Sequence, residues 1–400
     1  MRQLDSIWIY KKKAKIQPIS SLIFEIEILG VLPLKKELIL FLFIASLLCS
    51  YLIISRIREK KEATEIELSL HHPYEVLCGK DLESWNYIHS DKDWQKLESY
   101  SMLYQKHFEN QFDANPTFKI PKTIHLIWLG PKPFPSSSVA IIRSWMAYHP
   151  DWTFVFWTDR IRPAPCRGMK VSLIKEFPFE FLEKKFMEST NWGEKSDLLR
   201  YEILYKYGGI YIDHDAKCLR PFHGLNRGYD FYACLEFPHE GIEDHALTVG
   251  NALIGSKPRH PILRETIQAV LDRWDQVTEM FSSQDAFAEV RRVAYRSYIA
   301  LTLGAQKGVN RPENIDIIFP SLYFFPKYQM TGFYSEHLYG TTWHSLAESP
   351  AQKKFQRPLN ALKRRASKII RLEMISLFAL IGSFALYFLI LRELKRRHGN

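Results

Sequence analysis

Several signals that would narrow the class of this protein are missing from its sequence. The chain has five cysteines among 400 residues, with neither a pairing pattern nor the spacing of a metal site, so we expect reduced thiols. It contains no Asn-x-Ser/Thr sequon, because the near match at residues 115–117 has proline in the middle. Internal repeats and low-complexity tracts are also absent. These absences exclude a disulfide scaffold and a repeat protein.

The charge of the chain is positive, with 54 Lys and Arg against 44 Asp and Glu, and much of the excess lies beside two apolar runs. Residues 38–54 and 374–391 carry no charge. At about 1.5 Å per residue, each run is just long enough to cross a bilayer as a helix. Flanking basic clusters are typical of membrane anchors rather than of nucleic-acid patches. We therefore expect two transmembrane helices, a membrane partner and no nucleic acid.

Strand and helix patterns alternate through residues 116–350, which predicts an α/β domain with a mainly parallel sheet. Apolar strands are predicted at residues 123–129, 153–159 and 210–213, with helices at 138–149 and 195–207. The other segments are expected to be a basic N-terminal tail (1–37), a helical stalk (55–115), a basic juxtamembrane segment (351–373) and a basic C-terminal tail (392–400).

Two aspartates follow the last of these strands, in the stretch YGGIYIDHDAKCLRPF. Side chains two apart on an extended chain point the same way, so Asp213 and Asp215 are expected to lie side by side. Two neighbouring carboxylates repel each other, and burying them requires a positive partner. Mn²⁺ or Mg²⁺ suits this position and could bridge to nucleotide phosphates. A phosphatase of the haloacid dehalogenase type is less favoured, because Lys217 occupies a position where that chemistry needs a small hydroxyl or apolar residue.

The helix that precedes this strand carries Asp197 and Arg200 on one face, three residues apart. From the residues alone an intrahelical ion pair is favoured over a sugar-binding pair. Three histidines have structural interpretations: His125 in the core, His214 in packing and His260 as the cap of the helix that follows it.

Several ordered blocks of the chain resemble glycosyltransferase family 32. The stretch SDLLRYEILYKYGGIYIDHD is similar to the D-x-D sugar-binding signature of that family. Further blocks appear in the family's order: IPKTIHLIWLG, HPDWTFVFWTD, NALIGSKPRHPIL and TTWHS. The family includes initiating α-1,6-mannosyltransferases and mannosyl inositol phosphoceramide synthases, and its core is similar to that of the large clostridial glucosylating toxins. The resemblance covers about residues 120 to 345 and implies a GT-A-type, Rossmann-like fold.

The resemblance also implies roles for the residues of the donor site. Asp213 would contact the ribose and sugar of the donor and, with Asp215, the metal. Asp197 and Arg200 would bind the donor hexose, which reverses the interpretation as a plain ion pair. Asn251 would lie in the donor or acceptor pocket, or else in a structural turn.

Two tryptophans and two histidines complete the implied site. Trp128 would stack on the nucleoside base, and Trp343 would pack near the diphosphate. A late histidine would complete the metal coordination. His337 precedes Trp343 by six residues, a spacing seen in many relatives, whereas His344 matches the Trp-His pair of the phosphoceramide enzymes. The sequence leaves both open.

The implied function is a membrane-anchored, metal-dependent retaining glycosyltransferase. It would move a hexose from a nucleotide sugar, with GDP-mannose favoured over a UDP-hexose, to a lipid head group or membrane-associated glycan. No carboxylate nucleophile is recognisable, so a front-face mechanism is implied. The alternatives are a toxin-like, UDP-sugar-dependent protein glycosyltransferase and a non-catalytic membrane scaffold. The family resemblance implies that the catalytic domain lies in the Golgi lumen. The missing sequons and the charges beside the two spans favour the cytoplasmic face instead, since the segments between the spans carry eleven Lys and Arg near the membrane and the segments outside them carry six.

One block departs from the family pattern. The family usually has a T-G-P turn before a leucine-rich helix on the acceptor side, and this chain has Arg296-Ser297-Tyr298 at that place. The donor half of the implied site is therefore better defined than the acceptor half.

Overall fold

The computed structural model describes residues 72–112, 116–239, 245–309, 311–326 and 331–340. Both predicted membrane spans lie outside these ranges, as do the two predicted tails and the juxtamembrane segment. No helix within the described ranges is long and apolar enough to cross a bilayer.

A seven-stranded sheet lies at the centre of the fold, with a two-stranded sheet beside it. The strands are β1 Thr123–Trp128, β2 Thr153–Thr158, β3 Lys170–Leu173, β4 Gly209–Ile212, β5 Ala216–Cys218, β6 Phe231–Leu235, β7 Val249–Ser256, β8 Asp316–Phe319 and β9 Ser335–His337. The order in the large sheet is β3-β2-β1-β4-β7-β6-β8. Strand β7 is antiparallel to both of its neighbours, and the other four pairings are parallel. The predicted α/β class with a mainly parallel sheet is confirmed.

The described helices surround this sheet, and four of them begin at a side-chain cap. They are α1 Tyr74–Leu77, α2 Asp91–His107, α3 Ser136–Tyr148, α4 Glu183–Glu188, α5 Trp192–Tyr207, α6 His223–Gly228, α7 Pro261–Met280, α8 Ala286–Arg296 and α9 Tyr298–Gly308. Short 3-10 helices lie at Glu83–Tyr87, Phe108–Phe112, Ile174–Glu176 and Ser321–Tyr323. Ser90, Asn191, His260 and Asp285 accept hydrogen bonds from the first turns of α2, α5, α7 and α8. The predicted capping role of His260 is confirmed.

The core is formed by strands that are buried on both faces. Strands β4, β6, β7 and β8 are buried along their whole length, although β7 and β8 include the buried polar residues Asn251, Ser256 and Asp316. His125 lies in this core, where its Nε2 is 2.9 Å from the carbonyl oxygen of Gly208 and its Nδ1 accepts a hydrogen bond from Trp157. It is the satisfied core histidine that the sequence predicts.

Helix α2 lies in the segment predicted as a stalk, and it packs against β8 at one edge of the sheet. Two of its charged residues are buried together, with Lys96 Nζ 2.5 Å from Asp93 Oδ1. Lys96 also donates to the carbonyl oxygen of Leu247, and Asp93 accepts from the backbone of residues 246 and 247. The described part of this segment therefore belongs to the core instead of standing apart from it.

Candidate active site

The two aspartates lie in a tight turn that leads from the large sheet to the small one. Helix α5 ends at Gly208, and both Gly208 and Gly209 have positive φ values, 63° and 103°, that favour glycine. Strand β4 follows at once, and the amide of Asp213 still bonds to β7, donating to the carbonyl oxygen of Ala252 at 2.8 Å. The chain then turns, with the amide of Ala216 donating to the carbonyl oxygen of Asp213, and β5 begins.

The small sheet brings His337 to the aspartates. Strand β9 pairs antiparallel with β5 so that His337 lies opposite Ala216. Its Nε2 atom is 3.3 Å from Asp215 Oδ1 and 3.8 Å from Asp213 Oδ2. One ligand atom from each of the three residues lies within 4.8 Å of the others. Of the two histidines that the sequence leaves open, His337 is next to the carboxylates, whereas His344 and Trp343 lie outside the described residues.

The outer oxygens of both carboxylates are already engaged by the protein. The Tyr211 hydroxyl donates to Asp213 Oδ1 at 2.6 Å, and the backbone amide of Gly340 donates to Asp215 Oδ2 at 2.5 Å. The remaining oxygens face the imidazole. Two carboxylate oxygens and one imidazole nitrogen are a donor set that suits Mn²⁺ and is acceptable to Mg²⁺, so the residues fit the predicted metal.

The charges in this cluster depend on one another. Burial raises the pKa of the Asp215 carboxyl, but the adjacent His337 lowers it by a larger amount. The net pKa is therefore well below its ordinary value. Burial likewise raises the pKa of Asp213, and Arg200 and His337 bring it below normal. For His337, burial lowers the pKa, yet the two carboxylates raise it to about 10. Without a metal ion, a protonated imidazole is therefore the positive partner that the two aspartates need.

Arg200 connects the aspartates to the helix that precedes them. Its guanidinium lies 2.5 Å from Asp197 Oδ1 and 3.4 Å from Asp213 Oδ1, and it donates to the carbonyl oxygen of Asn251 at 2.6 Å. It also lies 4.1 Å from the centre of the Tyr211 ring, a cation–π contact. These contacts fix a buried guanidinium in one orientation.

Asp197 and Asn251 lie on the other side of this guanidinium. The Asn251 side-chain amide donates to Asp197 Oδ1 at 3.1 Å. Burial raises the pKa of Asp197, and although Arg200 opposes this effect, the pKa reaches about 7. The ion pair that the isolated spacing favours is present, but it is buried within the site rather than exposed on a helix surface.

A cavity of about 620 Å³ contains all of these groups. It opens beyond the carboxyl ends of β1 and β4, where ligands bind in α/β sheets. Seven of the nine predicted site residues line it: Trp128, Asp197, Arg200, Asp213, Asp215, Asn251 and His337. The other two, Trp343 and His344, lie outside the described residues.

Trp128 forms part of the cavity wall at the end of β1. Its indole nitrogen donates to the carbonyl oxygen of Lys132 at 2.8 Å, and its ring packs edge-on against Phe134 and His214. His214 is held by the hydroxyl of Ser138 at 2.8 Å and packs against Trp128 and Phe134. It also lines the same cavity as the aspartates, so the prediction that it packs is confirmed, whereas the expectation that it faces away from them is wrong. Stacking of Trp128 on a nucleoside base stays a prediction.

The cavity wall also contains Glu236, which the sequence does not predict as a site residue, and two residues of the block that departs from the family pattern. Glu236, which follows β6, is a carboxylate on this wall, and Ser297 and Tyr298 lie there at the junction of α8 and α9. Glu236 packs against Gly250, where any Cβ atom would lie 2.9 Å from Glu236 Cγ. No local motif surrounds Glu236, so only the pairing of β6 with β7 could have revealed its position.

Part of the chain, including the turn with the two aspartates, is similar to a known glycosyltransferase family. Residues 135–232 match the family model described as "Glycosyltransferase sugar-binding region containing DXD motif". This range includes Asp197, Arg200 and both aspartates of the turn. The predicted family resemblance is confirmed.

The chain is similar to individual proteins from two yeasts and one bacterium. The chain is 28% identical over 194 residues to inositol phosphoceramide mannosyltransferase 3 of Schizosaccharomyces pombe, covering 47% of this chain and 49% of that protein. It is 32% identical over 164 residues to mannosyl phosphorylinositol ceramide synthase CSH1 of Saccharomyces cerevisiae, covering 41% and 38%. It is 32% identical over 128 residues to subversion of eukaryotic traffic protein A of Legionella pneumophila, covering 28% and 20%. The chain thus spans about half the length of these relatives, or less.

Solved glycosyltransferase structures are also similar to this chain. PaToxG glycosyltransferase has a TM-score of 0.37 at 15% identity and covers 55% of this chain and 80% of its own. Galactosyltransferase LgtC, solved with donor and acceptor sugar analogues, has a TM-score of 0.32 at 12% identity and covers 60% and 95%.

Proposed function

We propose that this protein is a metal-dependent, retaining glycosyltransferase that moves a hexose from a nucleotide sugar to a lipid head group or a membrane-associated glycan. The observation that carries the proposal is the arrangement of Asp213, Asp215 and His337 beside the buried Arg200 network in one cavity. The names of the yeast relatives, which are mannosyltransferases acting on inositol phosphoceramide, favour mannose and its GDP-linked donor. The two predicted spans would hold the domain at a membrane.

In this proposal, Asp213, Asp215 and His337 hold Mn²⁺ or Mg²⁺. When bound, the ion supplies positive charge for the diphosphate that leaves the sugar. The amide of Gly340 and the hydroxyl of Tyr211 keep the two carboxylates from rotating, because each occupies the oxygen that faces away from the imidazole. The turn is therefore preorganised, and little of the binding free energy is lost in ordering it.

Asp197, Arg200 and Asn251 bind the hydroxyl groups of the donor hexose. Buried donors and acceptors of this kind discriminate well between sugars, since a missing or inverted hydroxyl leaves one of them unpaired. Arg200 also joins the sugar side of the site to Asp213. A shift of the bound sugar would therefore change the position of Arg200 relative to Asp213.

The proposed transfer breaks the bond between the anomeric carbon and the phosphate oxygen. A new bond forms between that carbon and the acceptor oxygen on the same face, and the acceptor proton passes to the leaving diphosphate. Glu236 offers a second destination for this proton, because its carboxylate lies on the wall of the same cavity. A positioned carboxylate of this kind contributes typically about 10²–10⁴-fold to a rate.

Donor hydrolysis by the full chain in detergent tests the proposal. GDP-mannose, UDP-glucose, UDP-galactose and UDP-N-acetylglucosamine would each be compared with Mn²⁺ and with EDTA. We expect one donor to be cleaved only with metal, and cleavage to be lost in Asp215→Asn. Asp275→Asn is a matched control, because Asp275 lies on the exposed surface with 88% of its side chain accessible. A folded protein that neither binds nor cleaves any donor would leave the non-catalytic scaffold as the better interpretation.

A second candidate is a toxin-like transferase that modifies a protein with a UDP-linked sugar. The observation behind it is the similarity to a Legionella protein that is named for subversion of eukaryotic traffic and is 32% identical over 128 residues. The same donor panel separates the two candidates: GDP-mannose would point to an inositol-containing lipid acceptor, and a UDP-sugar would point to the toxin-like reaction.

A further inference from the structure

Part of the cavity wall lies outside the proposed metal and donor-sugar sites. It contains the polar side chains of Asn191, Glu236, Glu289, Ser297 and Tyr298 and the apolar side chain of Val293. Two of these six residues are carboxylates, one is a phenol and none is a cation. We call these six residues the polar lobe.

Helix α8 supplies one side of the polar lobe. Glu289, Val293 and Ser297 follow one another at intervals of four residues, so they share one face of the helix and its end. Glu289 Oε1 accepts a hydrogen bond from the side-chain amide of Asn191 at 2.9 Å, which joins this face to the cap of α5. Ser297 forms a hydrogen bond with Asp197. The lobe is therefore next to a residue that is proposed to bind the donor hexose.

Glu236 and Tyr298 form the other side of the lobe. The Cγ atom of Glu236 is 2.9 Å from where a Cβ atom would lie at Gly250, so the side chain lies beside β7, one residue before Asn251. Burial raises the pKa of the Tyr298 hydroxyl, and the charges of Glu236 and Asp197 raise it further. The phenol is therefore close to both carboxylates.

Two of these polar groups lack a partner in the protein. Among the residues that the structure describes, neither the Glu236 carboxylate nor the Tyr298 hydroxyl forms a hydrogen bond or an ion pair, although both line the cavity. A carboxylate accepts hydrogen bonds, and a phenol both donates and accepts them. Together they suit a ligand with several hydroxyl groups, because a hydroxyl can donate to the one and accept from the other.

The arginines of α8 do not contribute to the cavity wall. Arg291 lies 4.5 Å from the centre of the Phe287 ring, Arg292 donates to a backbone carbonyl of the preceding loop at 2.8 Å, and Arg296 stacks on Trp274. None of the three lines the cavity. A phosphate or carboxylate in the lobe would therefore lie beside two carboxylates without a compensating cation, which is unfavourable. The lobe thus favours an uncharged ligand.

We propose that the polar lobe is the acceptor subsite and that it binds an uncharged, polyhydroxylated ring. The ring is either a sugar of a glycan or the cyclitol of a lipid head group, and any phosphate attached to it lies outside the lobe. This inference rests on the proposed function and names the chemical class of its acceptor. A single serine or threonine hydroxyl of a protein would leave most of the polar groups of the lobe unpaired, which is costly for buried groups.

The test measures transfer by the full chain in detergent with Mn²⁺ and the donor that it cleaves. The acceptors are methyl α-mannopyranoside, myo-inositol and a peptide with a single threonine, and the products are identified by mass spectrometry. We expect transfer to a ring and not to the peptide. The preferred ring distinguishes a glycan from a lipid head group as the natural source. Transfer to the peptide with a higher kcat/KM than to either ring would overturn the proposal.

Two variants remove single polar groups from the lobe. Tyr298→Phe deletes one hydroxyl, and Glu289→Gln removes one charge while keeping an oxygen that can accept from Asn191. Each should raise the KM for the ring about 10-fold and change the donor KM less than about twofold, since each weakens one hydrogen bond to the acceptor. Tyr207→Phe is the matched control, because Tyr207 is 40% exposed and does not line the cavity. An unchanged ring KM in both lobe variants would overturn the proposal.

Ring binding is also measured without a donor, by saturation-transfer NMR, which keeps the two hypotheses apart. Methyl α-mannopyranoside should bind the wild type, more weakly Tyr298→Phe, and mannose 6-phosphate should bind the wild type less tightly than the uncharged ring. Tighter binding of the phosphorylated ring would overturn the proposal. Metal-dependent donor hydrolysis without ring binding or transfer would refute the acceptor subsite and leave the donor chemistry standing. Ring binding that Tyr298→Phe weakens, without donor binding or hydrolysis, would support the lobe and refute the transferase.

Discussion

Replacing His337 with alanine should remove the positive charge that lies between two buried carboxylates. The imidazole nitrogen is 3.3 Å from Asp215 Oδ1 and 3.8 Å from Asp213 Oδ2. At an effective dielectric constant of about 20, each of these contacts is worth roughly 4–5 kcal/mol before the cost of burying the charges is subtracted. Removing one member of a buried charge cluster typically lowers the free energy of unfolding by about 3–5 kcal/mol.

Thermal unfolding in EDTA measures this loss directly. For a domain of this size, such a loss corresponds to a fall in Tm on the order of 5–10 °C. The variant should bind Mn²⁺ with an affinity lower by about 10–100-fold. Because stabilisation by a ligand grows with the ratio of its concentration to Kd, added Mn²⁺ should raise the Tm of His337→Ala less than that of the wild type. The Mn²⁺ affinities of the variant and the wild type are measured from the concentration of free Mn²⁺, which electron paramagnetic resonance detects.

His344→Ala is the matched control for this prediction, since the sequence offers both histidines as the late ligand. We expect it to keep the Tm in EDTA and the Mn²⁺ affinity of the wild type. The reasoning is refuted if His337→Ala behaves like the wild type in both measurements while His344→Ala loses its Mn²⁺ affinity.

Three further predictions concern other parts of the molecule. Arg200→Lys keeps the positive charge but loses the several simultaneous contacts of the guanidinium. We expect kcat/KM for the donor to fall about 100-fold while the Mn²⁺ affinity changes less than about threefold. Equal losses in both quantities would contradict this prediction. Glu236→Gln should lower transfer to acceptor about 100-fold at unchanged donor KM, and unchanged transfer would exclude Glu236 from the reaction. Burial lowers the pKa of His125 from 6.5 to about 4. Between pH 6.5 and pH 4 the imidazole is therefore protonated in the unfolded state but not in the folded state, so the folded state loses stability as the pH falls. In urea unfolding at pH 4, His125→Gln should lose less stability relative to pH 7 than the wild type does, by up to about 3 kcal/mol; parallel pH profiles would refute it.

The donor half of the site could be predicted because its residues are close together in the sequence. Asp197 and Arg200 lie on one helix, and Asp213 and Asp215 lie at the end of the strand that follows it. The Gly208-Gly209 turn joins helix and strand without an intervening loop. Local periodicity therefore places each pair on one face, but the donor-binding role of Asp197 and Arg200 is predicted only by the family resemblance, since their spacing alone favours a plain ion pair.

The choice between the late histidines could not be made from local patterns. It depends on the pairing of β5 with β9, two strands of three residues each that are far apart in the chain. The same limit applies to α2. Its apolar face predicts that it packs, but only the fold shows that the buried Lys96 and Asp93 hold the chain just before β7.

The acceptor side departs from the family pattern, and the structure shows what stands in its place. The Arg296 guanidinium stacks on Trp274 at 3.7 Å and lies 3.3 Å from Glu194 Oε1, in the first turn of α5. This buried contact fixes the end of α8, and Ser297 then turns the chain into α9 with φ −116° and ψ −103°. The turn has thus exchanged a glycine and a proline for an ion pair, and it still delivers Ser297 and Tyr298 to the cavity wall. A hydrogen bond from Ser297 also lowers the pKa of Asp197, so the side chains of this turn reach the proposed sugar-binding residues and are not confined to the acceptor side that the family resemblance implies.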